Sequence, residues 1–187
     1  MIAAARHLAD AGKADAGRIA IHGGSAGGFT VLAALSQSDV FAAGGDFFGV
    51  ADLEALARDT HKFESRYLDG LIGPWPAAKA VYDARSPINH LDTFTAPLLI
   101  LQGAEDPVVP PNQAYMIRDA LKAKGVPVAY IEFPGEGHGF RRAEHIIRAK
   151  EAELDFYGRV FGFTPADRIE PVEIENAGAL RAPMAAH

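Results

Sequence analysis

The sequence contains no cysteine, and this absence removes whole classes of chemistry. No disulfide can form, and no thiolate can act as a nucleophile or bind a metal ion. Neither H-E-x-x-H nor any other metal-binding spacing of histidine is present, so we expect no metal site. The sequence also lacks a P-loop and the G-x-G-x-x-G motif, so we expect no nucleotide cofactor.

The sequence has no excess of positive charge and no long apolar run. Its 18 Lys and Arg residues against 24 Asp and Glu give a net charge of −6. This charge argues against nucleic acid or an anionic membrane as the main partner. The first residues lack a basic segment followed by an apolar one, and no run could span a bilayer. We therefore expect a cytoplasmic protein.

The most informative segment is residues 23–27, with the sequence G-G-S-A-G. An apolar run precedes it and a helix-favouring run follows, which is typical of a nucleophile elbow that lifts a serine hydroxyl above a parallel sheet. This pattern makes Ser25 the candidate nucleophile. We expect Gly23 and Gly27 to lie where strand and helix leave no room for a Cβ atom. We also expect an unfavourable backbone conformation at Ser25.

A serine nucleophile needs a base and an acid that orients it, and in this architecture both follow the serine. Asp106 follows the apolar run 97–103, and His138 lies between two glycines after the run 128–133. We favour Asp106 over its neighbour Glu105 because it is shorter and precedes a proline. Asp46, which ends a strand of its own, is the substitute acid. Ser25 Oγ and Asp106 should each lie within roughly 2.6–3.5 Å of His138.

The other six histidines are weaker candidates for the base. His145 falls in the amphipathic segment 142–157, so we interpret it as a helix-surface residue. His22 lies inside the strand before the elbow and is expected in the core or in support of the site. The remaining four have no strand-end context: His7, His61, His90 and His187.

Strand and helix patterns alternate along the chain, which predicts an α/β fold with a parallel sheet covered on both faces. The predicted helices are 2–11, the elbow helix to about 37, an interrupted helical excursion over 52–82, 112–124 and 142–161. The predicted strands are 18–22, a short one within 40–50, one at 98 and 128–133. Residues 1–163 form the predicted domain, and residues 164–187 are expected to be a loosely ordered tail.

The motifs GGSAGG, GAEDPVVPPNQA and FPGEGHGF occur in that order, and with them residues 1–163 resemble the catalytic domain of the prolyl oligopeptidase family. Within this family the chain resembles the bacterial dipeptidyl aminopeptidase and acylaminoacyl-peptidase types. The resemblance implies the C-terminal part of an α/β-hydrolase fold and serine peptidase chemistry on short peptides. It assigns Ser25 as nucleophile, Asp106 as acid, His138 as base and the Ala26 N–H as an oxyanion donor.

The chain departs from the family pattern before the elbow. Family members carry a β-propeller and several strands upstream, whereas here one helix and one strand precede Ser25. We expect an N-terminally truncated piece without the loop that gives the second oxyanion donor, a loss that typically costs about 10²–10³ in rate. Residues 18–22 should then form an edge strand of the sheet, with unpaired N–H and C=O groups on its outer side. We expect self-association, or a separate partner that completes the sheet.

These observations favour a serine peptidase that works through an acyl-enzyme. An esterase or thioesterase of the same fold is the alternative among enzymes, and a non-catalytic binding or assembly module is the alternative outside them. At least one of Phe47 and Phe48 is expected to line a pocket for an apolar side chain, unless both are ordinary core aromatics. Trp75 and Tyr82 are weaker candidates for the same pocket.

Overall fold

The computed structural model describes residues 1–59, 62 and 66–180. The strands are β1 (Ala20–Gly24), β2 (Ala43–Phe47), β3 (Leu98–Gly103), β4 (Val128–Phe133) and β5 (Ile174–Glu175). The helices are α1 (Ile2–Asp10), α2 (Ala26–Gln37), α3 (Leu53–Asp59), α4 (Tyr67–Leu71), α5 (Lys79–Arg85), α6 (Asn112–Lys124) and α7 (Ala143–Phe161). No helix in this described part of the chain is both long and apolar enough to cross a membrane.

The strands form one sheet in the order β1-β2-β3-β4-β5. The pairs from β1 to β4 are parallel, and β5 runs antiparallel to β4. Because parallel strands all end at the same side of a sheet, the segments after β1, β2, β3 and β4 meet at one edge. This arrangement confirms the predicted α/β fold and its mostly parallel sheet. It also carries the segments with Ser25, Asp106 and His138 to the same place.

Strand β3 shows why helices cover both faces of the sheet. All six of its residues are buried, and successive side chains of a strand point to opposite faces. Leu98 and Ile100 pack with residues of α2 and α6 such as Leu35 and Ile117. Leu99 and Leu101 pack on the other face with α7 residues that include Ala149, Ala152 and Phe156.

The predicted helical excursion consists of three short helices, α3, α4 and α5. They share a cluster of buried apolar side chains with residues that follow β2 and β3: Val50, Leu53, Leu56, Leu68, Tyr82 and Val109. Since Val50 follows β2 and Val109 lies in the loop after β3, the excursion packs on the side of the sheet where the parallel strands end. The buried Gln113 side chain fixes its start by accepting the N–H groups of Ala51 and Asp52.

The structure differs from the expected loosely ordered tail over residues 164–180. Val172 and Ile174 are buried against the α7 face of the sheet, and β5 pairs with the first residues of β4. Asp155 Oδ2 accepts the Val172 N–H at 2.8 Å. A strand of two residues is too short to show an apolar pattern in the sequence. It nevertheless covers part of the outer side of β4. Residues 181–187, the rest of the predicted tail, lie outside the described residues.

Strand β1 occupies the other end of the sheet. Within the described residues it pairs with β2 alone, and Ala20 and His22 are exposed on it. The segment predicted as a sheet edge is therefore an edge in the structure.

Candidate active site

Ser25 stands alone between the last residue of β1 and the first residue of α2. Its backbone has φ 57° and ψ −118°, a combination that non-glycine residues rarely adopt and that is typical of functional turns. Its N–H donates to the Phe47 carbonyl at 2.9 Å, which ties the turn to the end of β2. The unfavourable conformation expected at this serine is thus present.

The two elbow glycines have different reasons to be glycine. A Cβ atom on Gly23 would lie 2.7 Å from the carbonyl carbon of Gly27, so the close approach expected there is confirmed. A Cβ atom on Gly27 would meet nothing within 4 Å. The expectation that Gly27 also needs the space is therefore wrong. The Gly27 backbone is the obstacle to a Cβ atom on Gly23, whereas a Cβ atom on Gly27 itself would have open space.

Asp106 is held by its own loop. Its Oδ1 accepts the N–H groups of Val108 at 2.9 Å and Val109 at 3.0 Å, which fixes the buried carboxylate after β3. The second oxygen, Oδ2, accepts a hydrogen bond from His138 Nδ1 at 2.8 Å. Glu105, the rejected neighbour, is exposed. One carboxylate oxygen thus orients the side chain and the other contacts the histidine.

His138 joins the acid to the serine. Its Nε2 lies 2.8 Å from Ser25 Oγ, and both distances fall within the range expected from the sequence. Because the carboxylate can only accept, Nδ1 carries the proton, and the neutral ring offers the Nε2 lone pair to the serine hydroxyl. The structure thus brings the three predicted side chains into one hydrogen-bonded series.

Ala26 is the first residue of α2. The first N–H groups of a helix have no acceptor within the helix, so its backbone N–H is available beside the serine. Such a donor, together with the positive end of the helix dipole, suits an oxyanion that forms next to Ser25.

Phe48 lies against His138, and Phe47 lies beside Phe48. The centroid of the Phe48 ring is 4.8 Å from that of His138, and Phe48 has a φ of 43°. Phe47 instead contacts the rings of His22 and Phe140 and the Lys150 ammonium group. Both residues are half-buried.

Trp75 and Tyr82, the weaker candidates, lie in the excursion with ring centroids 5.3 Å apart. Tyr82 is fully buried, and its hydroxyl donates to the Gly73 carbonyl at 3.0 Å. The cationic groups of Arg58 and Lys79 lie over the Trp75 ring. This packing accounts for Tyr82 as a core side chain of the excursion.

Asp46, the substitute acid, is buried beside the elbow rather than bonded to a histidine. Its carboxyl packs so closely that a Cβ atom on Gly28 or Gly49 would lie 2.3 Å or 2.0 Å from Oδ1. Burial raises the pKa of this carboxyl to about 7. Since Asp106 contacts His138, Asp46 is not needed as the acid of the series.

Two of the other histidines differ from their predicted environments. His145 is largely buried, and its Nδ1 donates to Glu136 Oε1 at 2.8 Å, so it is not a helix-surface residue. His22 is exposed on the edge strand and pairs with Glu153 at 3.0 Å, so it does not belong to the core. In both cases the partner carboxylate is remote in sequence. His7 is exposed, His90 contacts the Ala84 carbonyl, and His61 and His187 lie outside the described residues.

Glu136 is the residue near the site that the sequence analysis missed. It is 2% exposed, and hydrogen bonds from the Arg142 N–H, His145 and the Arg141 N–H hold the pKa of its carboxyl below its usual range. The signal was its position: a single charged residue in a glycine-rich loop, two residues before His138. Across the described residues, no group of three His, Asp or Glu side chains is arranged to hold a metal ion.

Comparison with known proteins finds peptidases and an esterase among the relatives of this chain. Dipeptidyl aminopeptidase BIII of Pseudoxanthomonas mexicana is 33% identical over 168 residues, which cover 87% of this chain and 24% of that protein. Esterase LipQ of Mycobacterium tuberculosis is 31% identical over 175 residues, covering 83% of this chain and 41% of that protein. A puromycin-hydrolyzing peptidase of M. tuberculosis has a solved structure that matches with a TM-score of 0.89 and 52% identity, over 93% of this chain and 26% of its own.

The chain thus spans about a quarter of the length of these peptidases. The family model for the prolyl oligopeptidase family matches residues 1–164, which include the elbow, both strand-end loops and every side chain of the hydrogen-bonded series. A match over nearly the whole chain shows the family, and this chain belongs to the prolyl oligopeptidase family.

Proposed function

We propose that this chain carries the catalytic residues of a serine peptidase that hydrolyses short peptides. One observation carries the proposal: Ser25 Oγ, His138 and the buried Asp106 form a series with 2.8 Å at each contact. In this proposal they are the nucleophile, the base and the acid that orients it. Family membership and the peptidase relatives support the same activity.

The proposed reaction runs through an acyl-enzyme. His138 Nε2 takes the proton of the Ser25 hydroxyl as Oγ attacks the carbonyl carbon of the peptide bond. The Ala26 N–H donates to the oxygen as it becomes negative, and Asp106 stabilises the imidazolium. His138 then gives its proton to the leaving amine. A water molecule, activated by the same ring, hydrolyses the acyl ester and restores Ser25.

Phe48 is the proposed contact for an apolar substrate side chain. Its ring lies against His138 and is half-buried. Phe48 directly follows β2, on the side of the sheet where the parallel strands end. Phe47 is a second candidate for the same pocket, in contact with Phe48 at 6.4 Å between ring centroids.

Labelling with a fluorophosphonate probe tests the nucleophile directly, because such probes react with activated serines. We expect the purified chain to gain one adduct by intact-mass spectrometry, with the modified peptide containing Ser25. The Ser25→Ala variant is the control and should gain none. A chain that folds cooperatively but stays unlabelled would contradict the proposal and favour a binding or assembly module.

An esterase is the second candidate, favoured by the similarity to an esterase that covers most of this chain. The two activities share Ser25 and differ in the leaving group. Purified protein should be assayed with a dipeptidyl arylamide and with a p-nitrophenyl ester of a short acid. Cleavage of both substrates supports the peptidase, since amide bonds are the more demanding, whereas cleavage of the ester alone supports the esterase.

A further inference from the structure

Glu136 lies in the loop between β4 and α7, and its carboxylate is fully engaged. Oε2 accepts the Arg141 N–H at 3.0 Å, and Oε1 accepts the Arg142 N–H at 2.9 Å and His145 Nδ1 at 2.8 Å. Arg142 immediately precedes α7, where a negative charge is also favoured by the helix dipole. The carboxylate therefore fastens the loop to the start of α7.

The backbone of Glu136 fastens the same loop to a second segment. Its carbonyl accepts the Glu105 N–H at 2.9 Å, and Glu105 is the neighbour of Asp106. A Cβ atom on Gly103 would lie 2.3 Å from the Gly137 carbonyl oxygen and 2.6 Å from that of Glu136. The two loops that carry Asp106 and His138 are thus in direct backbone contact.

The loop needs such ties because its sequence provides little rigidity. Gly135 and Gly139 adopt φ values of 72° and 101°, and Gly137 directly precedes His138. Glycine has the largest backbone freedom of any residue, so the glycines alone leave the ring poorly fixed. His145 completes the support, since its ring also packs on Phe133 at the end of β4, with 5.2 Å between the ring centroids.

We propose that Glu136 is a positioning residue, which holds the His138 loop between the Asp106 loop and α7 so that Nε2 stays at Ser25 Oγ. This inference rests on the proposed function, since the position matters only if His138 is the base. The hydrogen bonds of the Glu136 carboxylate go to Arg141, Arg142 and His145, and none goes to Ser25, Asp106 or His138. Glu136 acts through the loop, with His145 as its partner.

The test compares Glu136→Gln with Glu144→Gln. Glutamine keeps the size of the side chain but has one acceptor oxygen for three donors, whereas Glu144 is exposed in the first turn of α7. Two quantities are measured: the rate of fluorophosphonate labelling at Ser25, and the downfield NMR signal of the His138 Nδ1 proton bonded to Asp106. The second reports on ring position and does not depend on reaction.

We expect Glu136→Gln to label about 10²-fold more slowly, the loss associated with displacements of about 1 Å in catalytic groups, and to lose or shift the Nδ1 signal. Glu144→Gln should match the unmodified chain in both. A Glu136→Gln protein that folds, labels at the original rate and keeps the signal would overturn the proposal. If the unmodified chain itself fails to label, the proposed function fails, and the NMR comparison still decides whether Glu136 holds the His138 ring against Asp106.

His145→Phe, which keeps an aromatic ring but has no hydrogen-bond donor, provides the second variant in case Glu136→Gln does not fold. It removes one of the three donors and leaves the carboxylate with both backbone N–H groups. We expect labelling to slow by up to about 10-fold and the Nδ1 signal to shift. An unchanged rate together with an unchanged signal would equally overturn the proposal.

Discussion

At the scale of single residues, Asp46 has a carboxyl group whose environment disfavours its charge. The residue is 1% exposed, and burial raises the pKa of its carboxyl to about 7, against about 3.9 in an unfolded chain. Between these two values the folded protein holds a proton that the unfolded chain releases. The contribution of Asp46 to the free energy of unfolding therefore falls as the pH rises from about 4 to about 7.

The Asp46→Asn variant should lack this dependence because its amide cannot ionise. We expect its stability relative to the unmodified chain to increase from pH 5 to pH 8, by up to a few kcal/mol, since a ten-fold change in a protonation equilibrium is worth about 1.4 kcal/mol. Denaturant unfolding at several pH values measures the difference. Asp39→Asn, at an exposed position, is the control. Parallel curves for Asp46→Asn and the unmodified chain would contradict the prediction.

The sequence predicted which side chains meet beyond the strand ends, such as Asp106 and His138. It failed for residues whose role depends on a remote partner. His145 is held by a carboxylate nine positions earlier in the sequence, and His22 pairs with Glu153 of α7, far along the chain but adjacent in space. Nothing in the local pattern encodes those pairs, because periodicity describes which face a residue occupies and not what faces it.

At the scale of elements, the junction of β1 and α2 offers a matched pair of substitutions. Gly23→Ala would place a methyl group 2.7 Å from the Gly27 backbone, so strand and helix must separate, at a cost of about 1–3 kcal/mol or more. Gly27→Ala meets no neighbour and replaces a helical glycine, which should stabilise the protein by up to about 1 kcal/mol. Thermal unfolding of the two variants gives the signs, and equal destabilisation would contradict the assignment.

Whole helices and strands were predictable where they are long and their apolar residues recur at a regular spacing. The bounds of α6 and β4 agree with their predicted ranges, and β3 begins at residue 98 as predicted. The excursion was harder, because its prolines and glycines break it into three helices that are stabilised by one shared apolar cluster. Strand β5 was missed since two residues carry no period, and its pairing depends on an edge that only the assembled sheet provides.

At the scale of the whole molecule, the sheet has two unequal edges. Strand β5 covers part of β4, whereas β1 has no further strand beside it among the described residues. The N–H and C=O groups on the outer side of such a strand are a template for pairing with another chain. We propose that the isolated chain self-associates through β1, or that a separate partner completes the sheet there.

Size-exclusion chromatography with light scattering tests this proposal. We expect a dimer or larger species whose fraction rises with concentration. Introducing a charge with Ala20→Lys, at an exposed position of β1, should shift the equilibrium toward monomer because charged edge strands resist pairing. A sharp monomer peak at all concentrations, together with cooperative unfolding, would show that the edge is protected in another way.

The hydrogen-bonded series also makes Ser25 a reporter of the native state. The serine and His138 are separated by 113 positions in the chain, and Asp106 lies on a third segment, so the contacts require the register of four parallel strands. An unfolded or partly folded chain has an ordinary serine at this position, with negligible reactivity. Under the proposed function, the initial labelling rate in increasing denaturant would count native molecules directly, and it should follow the same transition as circular dichroism.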